Sequence, residues 1–172
     1  MKRRTGWSVL LAAVLALQPA MAADVGHYVL GDTRAKTPGK VQPGLLLMGG
    51  GDRNFDAMRW FMQRAGNGHI VVLRASQGGE IGEEFYREVG GIQSVETFVF
   101  KDREAATDPA ILAALKRADG IFLAGGDQSR YVRFWRGTPV AAALDAHVRA
   151  GKPLGGTSAG LAMQGEYLYG AM

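Results

Sequence analysis

A chain of 172 residues with 47% hydrophobic and 21% charged side chains has the composition of one globular domain, not of a disordered or fibrous polypeptide. It contains no cysteine, which excludes disulfide stapling, a thiolate nucleophile and a thiolate metal site. The net charge of +4 belongs mostly to Lys2, Arg3 and Arg4; without residues 1–22 the chain holds 17 basic against 16 acidic side chains, and no basic stripe suits nucleic acid.

The first element is a targeting segment. The cations at 2–4 precede the apolar run Val9 to Leu17 and then Pro19-Ala20-Met21-Ala22, with small residues where signal peptidase needs them. The apolar run, about nine residues, is too short for a bilayer, which takes about 20. Residues 1–22 are therefore expected to be an export signal, leaving a periplasmic or extracellular protein with no membrane attachment once it is removed. Residues 23–43, with Gly26, Gly31, Pro38, Gly39 and Pro43, read as a lead-in without periodicity, and the domain itself runs from 44 to 172.

From there strands and helices alternate. Leu45 to Met48 is an apolar run closed by Gly49-Gly50-Gly51, and Phe55, Met58, Phe61, Met62 and Ala65 follow at helical spacing. Ile70 to Leu73 is a second apolar strand with a loop from Ser76 to Gly79; Arg74, Ser76 and Gln77 at its end are either pocket-lining or a solvated loop. Ile81 to Val89 reads as a helix, and Ser94 to Phe100 as a strand rich in Val, Thr and Phe. Thr107 or Asp108 caps a helix that opens with Pro109, and Gly120 to Ala124 forms a strand ending in Gly125-Gly126-Asp127-Gln128. Phe134 and Trp135 are expected to pack over the sheet edge. Pro139 opens a helix whose stripe is Val140, Leu144 and Val148, and Leu154 to Gly156 leads through Thr157-Ser158-Ala159-Gly160 into a final helix. Strands that are apolar throughout are covered on both faces, so the pattern predicts an α/β fold with a doubly wound, mostly parallel sheet. In such sheets the site lies at the carboxyl ends of the strands, where the glycine-rich ends after Met48, Ala124 and Gly155 fall.

Gly156-Thr157-Ser158-Ala159-Gly160 carries the sharpest chemistry. A serine on a strained strand-to-helix turn needs small neighbours two positions to either side, and the start of the next helix leaves free N–H groups that stabilise an oxyanion. Gln128 offers both a donor and an acceptor to a peptide-like group; equally, Asp127 and Gln128 simply cap and start a helix. The run Met48 to Asn54 fails the dinucleotide fingerprint, because Asn54 stands at the third glycine. No cofactor is expected, and no histidine–carboxylate spacing suits a metal.

Gly155 to Gly160, preceded one strand earlier by Ala124 to Gln128, resembles the paired signature of cyanophycinases and their aspartyl dipeptidase relatives. Leu47 to Gly51, Ile70 to Ser76 and Ser94 to Thr97 are similar to the same family. The resemblance implies a fold like that of class I glutamine amidotransferases (flavodoxin-like), with serine in place of their cysteine. It implies that Ser158 is the nucleophile, that the amides of Gly126 and Ala159 form the oxyanion hole, and that Gln128, with Asp127 beside it, meets the substrate. Family members hydrolyse cyanophycin, an aspartate backbone bearing arginine on its side chains, or related β-aspartyl peptides.

The pattern breaks at the base. The family places its histidine and acid after the elbow, whereas the 14 residues after Ser158 contain no histidine. His27, His69 and His147 read as surface or structural residues, and Glu166, about 12 Å along a helix from Ser158, is too distant to serve. The expectation is a chain lacking its C-terminal part, inactive as it stands, with an open sheet edge that could pair in a homodimer. Two other readings compete: an exported esterase that also uses G-x-S-x-G, and a non-catalytic peptide-binding module.

Overall fold

The computed structural model describes residues 24–76, 78 and 80–168. The expected export signal, Gln77 and the last four residues lie outside the described residues. Six strands form one sheet: β1 (Val25–Gly31), β2 (Leu45–Met48), β3 (His69–Arg74), β4 (Ser94–Phe100), β5 (Gly120–Leu123) and β6 (Leu154–Thr157). Their spatial order is β1-β4-β3-β5-β6-β2, parallel throughout except for β1, which runs antiparallel to β4. The expected doubly wound α/β architecture is therefore present.

The central strands show why. In β3, Ile70 and Val72 face one side and Val71 and Leu73 the other, all buried. The first side packs under α1 (Phe55–Arg64) and under α2 (Ile81–Glu83), which continues as a π-helix over Glu84–Val89; Met58, Phe61 and Phe85 fill that layer. The second side packs under α3 (Pro109–Arg117), α4 (Gln128–Trp135) and α5 (Pro139–Arg149) through Ile111, Leu115, Tyr131, Trp135 and Val140. Two apolar faces on one strand can be buried only by helices on both sides. The short α6 (Ala159–Ala162) follows β6.

Caps set the helix starts. Asn54 accepts the Ala57 amide, Thr138 accepts that of Ala141, and Asp108, not Thr107, accepts those of Ala110 and Ile111 ahead of Pro109.

Several expectations need correction. The lead-in contains a whole strand, β1, whose exposed edge position leaves it no apolar run; His27 stacks on Phe98 there with centroids 4.4 Å apart. The helix from 81 to 89 is mostly π-helix, ended by Gly90 at φ 71°. Trp135 does not cover an edge: it is buried in the core against Tyr131 and Phe100. In α5 His147 is buried, whereas Val148 is 40% exposed, because residue i+7 returns to the face of Val140 more closely than i+8 does. Among the described strands β2 forms an edge, and Leu45 and Leu47 are each 57% exposed, so this apolar run is covered on one face only.

Candidate active site

Ser158 follows β6 directly and is exposed, with φ 53° and ψ −118°. A side-chain-bearing residue with positive φ is strained, and such strain persists only where the surroundings impose it. Here they do. The Ser158 amide donates to Met48 O at 3.0 Å, tying the turn to the end of β2, and its carbonyl accepts the Ala162 amide in the first turn of α6. Gly156 and Gly160 permit the bend: a Cβ on Gly156 would strike the Gly160 carbonyl, and one on Gly160 would strike Leu123 O. The elbow thus projects a hydroxyl toward solvent, and Ser158 Oγ makes no hydrogen bond within the described residues.

Neighbouring elements hold the turn from two sides. Thr157, fully buried, donates Oγ1–H to Gly49 O at 2.7 Å, and its Oγ1 accepts from Arg53 Nη1 at 3.4 Å. Arg53 Nε is in turn bound to both oxygens of Glu84, at 2.9 and 3.2 Å, at the start of the π-helix. Arg53 and Glu84 therefore tether the glycine loop after β2 to the elbow. No sequence motif marked them, since their pairing depends on a π-helical turn 31 residues downstream.

On the other side stands the loop after β5. A Cβ on Gly125 would lie 3.4 Å from Ser158 Cβ, which places this loop in contact with the elbow. Tyr131 donates its hydroxyl to Ala124 O and so anchors α4 to the end of β5; burial pushes the phenol's pKa upward, keeping it a donor. The Gly126 amide donates no hydrogen bond within the described residues, and Ala159 occupies the first position of α6, where a helix leaves its N–H without an internal partner. Asp127 is exposed and caps α4, its carboxylate accepting the Ser129 amide at 2.8 Å; the Ser129 hydroxyl and then its amide hold the carboxyl below the usual range. Gln128, half-buried, is the first residue of α4. Of the predicted site residues the structure gathers Ser158, Gly126, Ala159, Asp127 and Gln128 at one edge of the sheet.

The histidines lie elsewhere. His27 is on β1, 3.1 Å from Glu96. His69 opens β3, with Nδ1 2.8 Å from Ser94 Oγ and Nε2 2.7 Å from Ala35 O. His147 is buried with Nε2 3.0 Å from Pro153 O, and desolvation lowers its pKa to about 4. Pro153 precedes β6 and Ser158 follows it, a separation of about 16 Å along the strand. The helix α6 ends at Ala162, so Glu166 lies on an exposed bend and not on the longer final helix expected. Among the described residues no three His, Asp or Glu side chains gather as a metal site, and no helix is long and apolar enough to cross a membrane.

The chain is similar to known proteins. Residues 45–170 match peptidase family S51. The cyanophycinase of Trichormus variabilis is 31% identical over 143 residues, covering 77% of this chain and 48% of the relative. That of Synechococcus elongatus is 33% identical over 133 residues, covering 71% of this chain and 41% of the relative. The chain thus spans about half the length of the curated relatives it matches. A solved structure, a peptidase from an acI-B1 Actinobacterium, superposes with a TM-score of 0.52 at 17% identity, covering 67% of this chain and 53% of that one, and shares the fold. The match across residues 45–170, through every strand from β2 to β6 and the elbow, places this chain in peptidase family S51.

Proposed function

We propose that the protein is a serine peptidase of cyanophycin or of related β-aspartyl peptides, with Ser158 as the nucleophile. The observation that carries this is the backbone of Ser158, a non-glycine residue at φ 53° on a tight turn with its hydroxyl exposed. That strain has a use in presenting an oxygen for attack. Ser158 Oγ attacks the amide carbon, and the carbonyl oxygen takes the negative charge facing the amides of Gly126 and Ala159. Gln128 orients the peptide group, and Asp127 fixes the start of α4 that carries it. In the curated relatives the name cyanophycinase supplies the substrate class.

An attacking serine needs a base. His27, His69 and His147 are all bound elsewhere, and we place the base and its acidic partner in protein outside residues 1–172. On that reading these residues alone bind substrate without turning it over. Residues 1–22 direct export, which brings the enzyme to polymer outside the cytoplasm.

The test is release of aspartyl-arginine units from cyanophycin by the full-length polypeptide, with an aryl ester measured beside it. Turnover of the polymer and not the ester is expected. Ester hydrolysis alone would make the protein an esterase, and tight peptide binding with no reaction toward a serine-directed phosphonate would make it a binding module.

A further inference from the structure

We propose that Gly50 is a specificity-determining residue of the elbow: its bare backbone keeps open, against the Ser158 hydroxyl, the space that the substrate residue carrying the scissile carbonyl enters. This rests on the peptidase reading above.

The loop after β2 is fixed in place beside the nucleophile. β2 and β6 pair in parallel as far as Met48 and Thr157, and the bonding continues past the strand ends. Met48 O accepts the Ser158 amide at 3.0 Å, Gly49 O accepts the Thr157 hydroxyl at 2.7 Å, and Arg53 Nε holds Glu84 at 2.9 Å. The loop cannot draw away from the elbow without breaking these bonds.

Its glycines are glycine for different reasons. Gly51 has φ 105°, a conformation that side chains rarely adopt. Gly49 and Gly50 have no positive φ, so their backbone does not demand glycine. Nor does packing demand it. Among the described residues a Cβ on Gly49 would meet nothing within 4 Å, and one on Gly50 would meet only Ser158, with Oγ at 3.5 Å and Cβ at 3.7 Å. Those are ordinary contact distances. At Gly156 and Gly160, by contrast, a Cβ would collide with backbone. The fold therefore accepts alanine at 50, and what a methyl would remove is room beside the hydroxyl.

That room lies where the substrate must come. β6 runs between β5 and β2, so the loops after those strands flank the elbow from opposite sides. The atom of Ser158 nearest a Cβ on Gly50 is Oγ, whereas the nearest to one on Gly125 is Cβ, at 3.4 Å. The hydroxyl thus leans to the Gly50 flank. Attack requires the carbonyl carbon within about 3–3.5 Å of Oγ, the distance at which a Gly50 methyl would stand. With the carbonyl oxygen turned to the Gly126 amide, the other substituents of that carbon spread toward Gly50. In an aspartate chain with arginine on its side chains, the carbon beside the backbone carbonyl bears the arginine-carrying arm. In a β-aspartyl peptide the branch comes one carbon later. Either needs more room than an unbranched acyl group.

The test is Gly50→Ala in the full-length polypeptide, with Gly49→Ala as its control and two serine-directed phosphonates as probes. One probe carries methyl on phosphorus and the other isopropyl, which branches where the substrate does. Gly50→Ala should slow cyanophycin cleavage and isopropyl labelling by roughly 10–200-fold, the range for one methylene in a close-fitting pocket, and methyl labelling by less than about threefold. Its melting temperature should match the parent's, and Gly49→Ala should change neither rate. An equal loss with both probes, no loss with either, or the same loss in Gly49→Ala overturns the role of Gly50, while labelling of Ser158 in the unaltered protein keeps the peptidase reading. If Gly50→Ala separates the probes but the unaltered protein leaves cyanophycin intact, the role of Gly50 stands and the substrate reading falls. No labelling of Ser158 by either probe overturns both.

Discussion

The two edges of the sheet treat polar groups in opposite ways. At the amino edge the buried side chains are paired: Asp119 accepts from Thr37 Oγ1 and the His69 amide, His69 meets Ser94 and Ala35, His147 meets Pro153 O, and Lys152 Nζ donates to Ala118 O. At the carboxyl edge a strained serine stands exposed, and the Gly126 amide has no partner among the described residues. His69 and His147 thus both stand at the amino edge, where their hydrogen bonds serve the fold. On the proposed reading, strain and an unanswered donor mark the site, and the histidines do not.

Substitutions should separate the edges, beginning with the largest effect. Ser158→Ala in the full-length polypeptide should lower cyanophycin turnover by more than about 10³-fold with little change in melting temperature, because removing a nucleophile eliminates the covalent path. Residual turnover within tenfold of the parent would reverse the assignment. Next comes the bend itself. Gly160→Ala would force a methyl against Leu123 O, and the cost of such overpacking is about 3 kcal/mol, read in denaturant unfolding. Stability unchanged in that variant would mean that the turn can relax.

The amino edge should respond to pH and not in rate. Buried His147 stays neutral with its pKa lowered to about 4, whereas in the unfolded chain it takes a proton near 6.5. Its contribution is therefore present above pH 6.5 and is lost as pH falls toward 4, by up to about 3 kcal/mol. His147→Gln, which retains a donor for Pro153 O, should flatten that dependence. Smallest is Asp119→Ala, which leaves the His69 amide and Thr37 hydroxyl without their acceptor and costs about 2 kcal/mol. The rate per folded molecule should not change.

What could be read in advance followed from how strongly each segment is constrained. Val71 and Val72 are buried on opposite faces, and a continuous apolar run in a central strand has few alternatives. The elbow was equally plain, since Gly156 and Gly160 sit where side chains would collide with backbone. Less constrained elements were not legible. β1 is a half-exposed edge strand with no sustained period, and of α4 only the start at Asp127 and Gln128 was legible, because only Tyr131 and Trp135 turn fully inward. The π-helix departs from the 3.6-residue repeat on which helix reading depends. Arg53 and Glu84 gain their places only through tertiary packing, between segments that no local pattern relates.

A covalent phosphonate adduct of the full-length polypeptide tests the central claim most directly, with the modified residue mapped and the adduct's structure determined. The account predicts modification at Ser158, with the phosphoryl oxygen about 2.7–3.1 Å from the amides of both Gly126 and Ala159. Modification of another residue in protein that cleaves cyanophycin, or an adduct oxygen turned away from both amides, would contradict it.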